Sequence, residues 1–314
     1  MRKAFLDELL AVAEQDERLM LLTGDLGFSV LEPFAERFPD RFLNVGVAEQ
    51  NMLAVATGLA EAGFIPYVYS IATFASMRPY EFVRNGPLLH DLPVRIVGIG
   101  GGFDYGHNGI THYALEDLSI MRTQPRMTVV APSDPQQARS ALRAVHDLDG
   151  PAYLRISKGD VEIPGLEGRF SLGRLELLPS SEDDEIALIA SGPIAREAYN
   201  AAGRLESRGV GATVAVCASL SPPPVRDLVE LLSAVQVAVA VEDQYVNGGL
   251  GSLVCEVVAE HGLGTRVLRK GVWEMPTGLT GSQRYLHRAH GLSGDQIATA
   301  AREALERVHL GEPA

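Results

Sequence analysis

Phe42–Gly63, FLNVGVAEQNMLAVATGLAEAG, joins a short apolar run to a stretch rich in Ala, Leu, Val and Met, and that join decides the fold. The run reads as a strand ending near Val45, and the stretch as a helix from about Ala48. Glu49 stands at the junction. Open α/β sheets place ligands at the carboxyl ends of their parallel strands, and a carboxylate at a helix start is favoured by the helix dipole. The helix that follows is mostly apolar or small, so Glu49 is expected in a buried junction, where a carboxyl can share or donate a proton near neutrality. On either side the same alternation recurs. Leu19–Leu22, Tyr67–Ile71, Val94–Ile99 and Thr128–Ala131 are apolar on both faces and alternate with helical stretches such as Asp134–Asp147. Strands of that kind belong in a helix-covered parallel sheet.

The alternation lapses over Lys158–Glu185, a stretch of Gly, Pro and Ser with an acidic run at Glu182, Asp183, Asp184 and Glu185. It then resumes. Ile186–Ala190, Thr213–Ala218, Ala238–Val241 and Arg266–Val272 read as strands, with helices over about 194–208 and 225–233 and another after Gly251. The expected architecture is α/β, with two parallel-sheet domains over 1–165 and 186–314 and a connector over 166–185. The length of 314 residues and the 46% apolar content suit two packed cores. With 27 basic and 40 acidic side chains the net charge is −13, which speaks against a nucleic acid or an anionic membrane as partner. Two cysteines, Cys217 and Cys255, are too few for a metal cluster or a disulfide framework and suit a reducing cytoplasm. The first twenty residues read as an amphipathic helix with acids throughout rather than a signal peptide. No apolar stretch approaches the ~20 residues of a membrane span.

Two further segments carry chemistry. In Pro66–Asn85, PYVYSIATFASMRPYEFVRN, a strand leads to Thr73 and Phe74 and then to a helix bearing Arg78, Tyr80, Glu81 and Arg84. Phe74 at a strand end suits either the core or a stacking platform for a flat ring. In Gly98–Asp117, GIGGGFDYGHNGITHYALED, five glycines between Gly98 and Gly106 exclude a buried strand. A long loop must follow Ile99, carrying Asp104, Tyr105, His107, Asn108, Thr111 and His112. Loops of this length usually serve a site. In the last third, Gly248–Gly251 before a helix suits either an anion seat or tight strand–helix packing.

Taken together, GDLGFS (24–29), NVGVAEQNM (44–52), PYVYSIATF (66–74), the GITH and ALED pair, TVVAPSDPQQ (128–137), VEDQYVNGGLGS (241–252) and HGLSGDQIA (290–298) resemble transketolase over nearly the whole chain. The resemblance is to that family's pyrimidine-binding and C-terminal domains. The diphosphate-binding domain, with its G-D-G…N magnesium motif, has no counterpart. The resemblance therefore implies the C-terminal subunit of a split enzyme that binds thiamine diphosphate only with a partner.

Residue by residue, the resemblance implies that Glu49 hydrogen-bonds a ring nitrogen of the aminopyrimidine and helps move the proton that activates the cofactor. Phe74 would stack on that ring, with Ile71 and Met77 beside it, Met77 standing where transketolases often have an aromatic. His112 would lie beside the aminopyrimidine and the reacting carbonyl. Arg2, Ser29 and Lys158 fall where the family holds a substrate phosphate, Lys158 replacing an arginine and losing its bidentate fork. Gly100 stands where many relatives have a substrate-contacting histidine, a loss His107 could make good, and Asn108 stands where they have an aspartate. The implied reaction is transfer of a two-carbon ketol unit from a ketose, or ketose phosphate, to an aldehyde. The implied partners are a diphosphate-binding subunit that holds Mg2+ and a second copy of the chain, in an α2β2 assembly. The alternatives are a decarboxylating relative, of deoxyxylulose-phosphate-synthase or 2-oxoacid-dehydrogenase-beta type, and a non-catalytic partner subunit.

Overall fold

The computed structural model describes residues 1–178 and 184–311. Residues 179–183 of the expected connector, with Glu182 and Asp183 of its acidic run, and 312–314 of the expected second domain lie outside the described residues. The first sheet contains β1 (Leu19–Thr23), β2 (Phe42–Asn44), β3 (Ile65–Ile71), β4 (Arg95–Ile99), β5 (Thr128–Val130) and β6 (Ala152–Ile156). The second contains β7 (Glu176–Leu177), β8 (Ile186–Ser191), β9 (Ala212–Val216), β11 (Val237–Tyr245) and β12 (Arg266–Val272), while β10 (Ser219–Ser221) returns to the first. The orders are β10-β5-β6-β4-β3-β1-β2 and β12-β11-β8-β9-β7.

Both sheets are parallel except at one edge, where β10 runs antiparallel to β5 and β7 antiparallel to β9. The sequence reading had Thr213–Ala218 as one strand. Instead β9 stops at Val216, and Ser219–Ser221 crosses to pair with Val129 and Val130 before Pro222, Pro223 and Pro224 end the pairing. Proline has no N–H to donate, so such a strand belongs at an edge.

Alternation along β3 shows why the central strands are apolar on both faces. Val68 joins Met52, Leu53 and Ala56 of the helix Glu49–Glu61 in one core. Tyr67 and Tyr69 point the other way, to Phe5 and Leu9 of the helix Arg2–Gln15. The helix Pro135–His146 starts as its sequence requires: Asp134 accepts the Gln137 N–H at 2.7 Å and proline occupies the first turn, a cap worth about 1 kcal/mol. At Gly248–Gly251 the packing reading holds. The buried Glu242 carboxylate accepts the N–H groups of Leu250 and Gly251 at 2.8 and 2.9 Å, so the helix start already has its anion. Among the described residues no helix is long and apolar enough to cross a membrane.

This topology places the chemistry. The segments after β1, β2, β3, β4 and β6 all emerge at the carboxyl end of the first sheet. The helix Arg2–Gln15 leads back into β1, so its first residue lies at that end too.

Candidate active site

β2 ends at Asn44, next to Val45, whose N–H still donates to the Thr23 carbonyl of β1 at 3.0 Å, and the turn that follows is braced by the Asn44 side chain. Its Oδ1 accepts the N–H groups of Gly46 and Asp25, at 3.0 and 3.1 Å. Gly46 at φ +72° then turns the chain into the helix. Glu49, the first helical residue, is 1% exposed. Its Oε1 accepts from the Ser70 hydroxyl of β3 at 3.1 Å, and its Oε2 from Arg78 Nη1 at 2.8 Å. The sequence reading noted Arg78 without giving it this role. Its signal is the four-residue spacing from Phe74 in the segment after β3, which sets the guanidinium 3.9 Å from the Phe74 ring centroid.

Phe74 is half-buried, and its ring meets His112 edge-on at 5.3 Å between centroids. Thr111 Oγ1 lies 2.9 Å from His112 Nδ1, which leaves the Nε2 edge for another partner. Ile71 is buried at the end of β3, and Met77 is exposed on the following turn. A buried acceptor beside an aromatic face suits a flat heterocycle that offers a ring N–H.

From His112 the site continues to Tyr105, 6.1 Å away between ring centroids, and then to Lys158, whose Nζ lies 3.9 Å from the Tyr105 centroid. A Cβ on Gly100 would collide with the Tyr105 ring. Tyr105 thus fills the space beside Gly100, whereas His107 and Asn108 stand exposed on the turn Gly106–Asn108. The sequence places Tyr105 in the loop, but no signal in it marks Tyr105 rather than Phe103 or His107 as the ring beside Gly100.

Arg2, Ser29 and Lys158 come together in one hollow of about 350 Å³, with Val30 and Asp160 also on its walls. Burial and the neighbouring Arg2 push the Lys158 ammonium below its ordinary pKa. Lys3 and Asp7, also on its walls, pair with each other, and Asp160 pairs with the Met1 ammonium, which leaves Arg2 and Lys158 as the cations to receive an anion. Among the described residues no group of three His, Cys, Asp or Glu is placed to hold a metal ion.

Residues 1–164 match the family description "Transketolase, pyrimidine binding domain", and residues 176–297 match "Transketolase, C-terminal domain". A Methanocaldococcus jannaschii protein named as a transketolase C-terminal section is 35% identical over 311 residues, covering 98% of this chain and 96% of its own. A Clostridium sp. protein, 6-deoxy-6-sulfo-D-fructose transketolase subunit SqwH, is 35% identical over 312 residues, covering 99% and 96%. Among solved structures, a split gene transketolase described as an inactive beta4 tetramer superposes with a TM-score of 0.88 at 33% identity, covering 97% of this chain and 98% of that one.

Proposed function

This chain belongs to the transketolase family, and we propose that Glu49, Phe74 and His112 form its half of a catalytic site completed by a second kind of subunit. The chain is a transketolase subunit, a transferase component that moves a two-carbon ketol unit from a ketose to an aldehyde. Its family implies thiamine diphosphate, which when bound supplies the electron sink for carbon–carbon cleavage. One observation carries the reading: Glu49 is a buried carboxylate joined through Arg78 to the half-buried Phe74 ring, so a buried acceptor and an aromatic face share one site, as an aminopyrimidine requires.

In this reading Glu49 holds a ring nitrogen and passes its proton. Phe74, Ile71 and Met77 seat the ring. His112 faces the reacting carbonyl, with His107 and Asn108 on the rim of the substrate channel. The diphosphate and its Mg2+ belong to the partner subunit, in an α2β2 assembly in the cytoplasm. The description of the split-gene relative as an inactive beta4 tetramer supports the need for a partner. The experiment is to mix the chain with a diphosphate-binding transketolase subunit, cofactor and Mg2+, and to follow products from ketose–aldehyde pairs. Ketol transfer by the mixture and by neither chain alone is expected. Carbon dioxide released from pyruvate, with no ketol transfer, would overturn the reading.

The substrate is proposed to carry an anionic terminus, phosphate or sulfonate, received by Arg2, Ser29 and Lys158. A sulfonated fructose in the name of one relative supports that class. Lys158→Ala removes one charge-assisted bond, worth about 1.5–3 kcal/mol. KM for a ketose phosphate should therefore rise roughly ten- to a hundredfold, with kcat little changed and the unphosphorylated ketose unaffected. Equal losses on both ketoses would remove Lys158 from the anion seat.

A further inference from the structure

The glycine run Gly100–Gly102 is explained by side chains of both domains, Tyr105 and Arg155 from the first and Asp243 from the second. A Cβ on Gly101 would collide with Arg155 Nε, and one on Gly102 (φ +59°) with the carboxylate of Asp243 in β11. The loop backbone is pressed flat on side chains of both domains. Asp243 Oδ2 accepts the Phe103 N–H at 3.2 Å and pairs with His287 Nε2 at 2.9 Å. Burial disfavours the imidazolium of His287, and Asp243 more than restores it. The Phe103 ring is fully buried and stacks on His290 at 5.2 Å. Further along the loop, the Gly281 N–H donates to the Gly106 carbonyl at 3.0 Å, and the Tyr113 hydroxyl to the Leu279 carbonyl at 2.6 Å.

The contact with most consequence is at Asp104. One of its oxygens accepts from Gln283 Nε2 of the C-terminal domain at 2.9 Å. The other accepts the backbone N–H of Lys158, also at 2.9 Å. A single carboxylate thus joins the C-terminal domain to the residue whose ammonium faces the anion hollow. Three residues beyond Asp104, the same loop presents the exposed His107, and then His112 against Phe74.

We infer that Gln283 and the Asp243–His287 pair are positioning residues through which the C-terminal domain sets the substrate loop 100–112 and, by way of Asp104, the placement of Lys158. The inference rests on the reading of that loop and of Lys158 as the substrate side of the site. Gln283 does not line the hollow of Arg2, Ser29 and Lys158; it acts through Asp104. A contact that only glued two domains together would weaken stability without selecting among substrates. This one acts on the binding of the anionic terminus.

The test is Gln283→Met, which keeps the side-chain length and removes the bond to Asp104, in the full chain alone and in the assembled enzyme. In the chain alone, hydrogen–deuterium exchange at the amides of 103–112 and of Lys158 should quicken, with the melting temperature kept. In the assembly, KM for a ketose phosphate should rise about three- to tenfold, the worth of one hydrogen bond, with kcat within about twofold. In a Lys158→Ala background the same change should add nothing to KM, because two residues acting through one contact are not additive. His287→Leu should repeat the exchange result at Phe103. Unchanged exchange in the loop would overturn the inference, and so would a KM effect that persists in full without the Lys158 ammonium. Should the assembly transfer no ketol unit, the proposed function fails, while the exchange measurement still decides whether the C-terminal domain holds the loop.

Discussion

Glu49→Gln should lower kcat of the assembled enzyme by roughly 10²–10⁴-fold, the usual worth of a positioned proton-transfer group, and leave the chain folded. Glutamine is nearly isosteric and keeps an acceptor for the Ser70 hydroxyl. What it loses is the negative charge opposite Arg78 and the ability to take up and return a proton. Stability should change little, because the Arg78 side chain is 40% exposed and water can satisfy its guanidinium once the carboxylate is gone. The effect therefore falls on chemistry rather than on folding, and it should persist at saturating cofactor and substrate. Turnover is measured with the partner subunit in excess, beside a melting curve of the variant chain. Turnover within about tenfold of the parent would show that Glu49 is not the proton-handling group.

That prediction could be framed from the sequence because its signal is local. A two-faced apolar run, a turn and an apolar helix put Glu49 at a strand's carboxyl end, and the structure differs only in stopping β2 at Asn44. The buried strands were legible for the same reason, since burial on both faces is written in consecutive residues. The antiparallel edges β7 and β10 were not, because a two- or three-residue strand owes its existence to a partner far away in the chain. The purposes of Gly101 and Gly102 were hidden likewise: they are set by Arg155 and by Asp243, which arrives from the other domain. Arg78 was noted as part of a helix, but its bond to Glu49 crosses from the segment after β3 to the helix after β2. Tyr105 and His107 are two residues apart in one glycine-rich loop, and nothing in the one-dimensional pattern says which ring packs against Gly100. What a residue does alone was readable, and what it does to a distant neighbour was not.

Arg155 is the sharpest case of the second kind, and its replacement should cost the most stability. It sits in β6 with a side chain only 7% exposed, and its Nη2 donates to the carbonyls of Ala114 and Asp243 at 2.8 and 3.0 Å. Its Nε lies 3.3 Å from Asp117 Oδ2, the oxygen that also accepts the Tyr153 hydroxyl at 2.7 Å. Burial works against the guanidinium charge, and Asp117 and Asp243 more than offset it. Arg155→Met fills similar space but leaves two buried carboxylates without their shared cation. Breaking a buried pair from one side typically costs about 3–5 kcal/mol, and that is the loss expected at neutral pH. Asp243 keeps His287, whereas Asp117 keeps only neutral donors. Burial already raises the Asp117 pKa, and losing the cation raises it further. A carboxyl whose folded pKa lies above its unfolded value of about 3.9 binds more protons when folded, so stability falls as pH rises through that interval. The deficit of the variant should therefore be largest at neutral pH and shrink as pH falls toward the ordinary carboxylate range. Denaturant unfolding of both proteins across that range measures it, with Arg155→Lys as a control that restores the charge but not the fork and so recovers only part of the loss. A loss below about 1 kcal/mol at neutral pH, or a deficit that widens in acid, would show that the buried carboxylates do not depend on this cation.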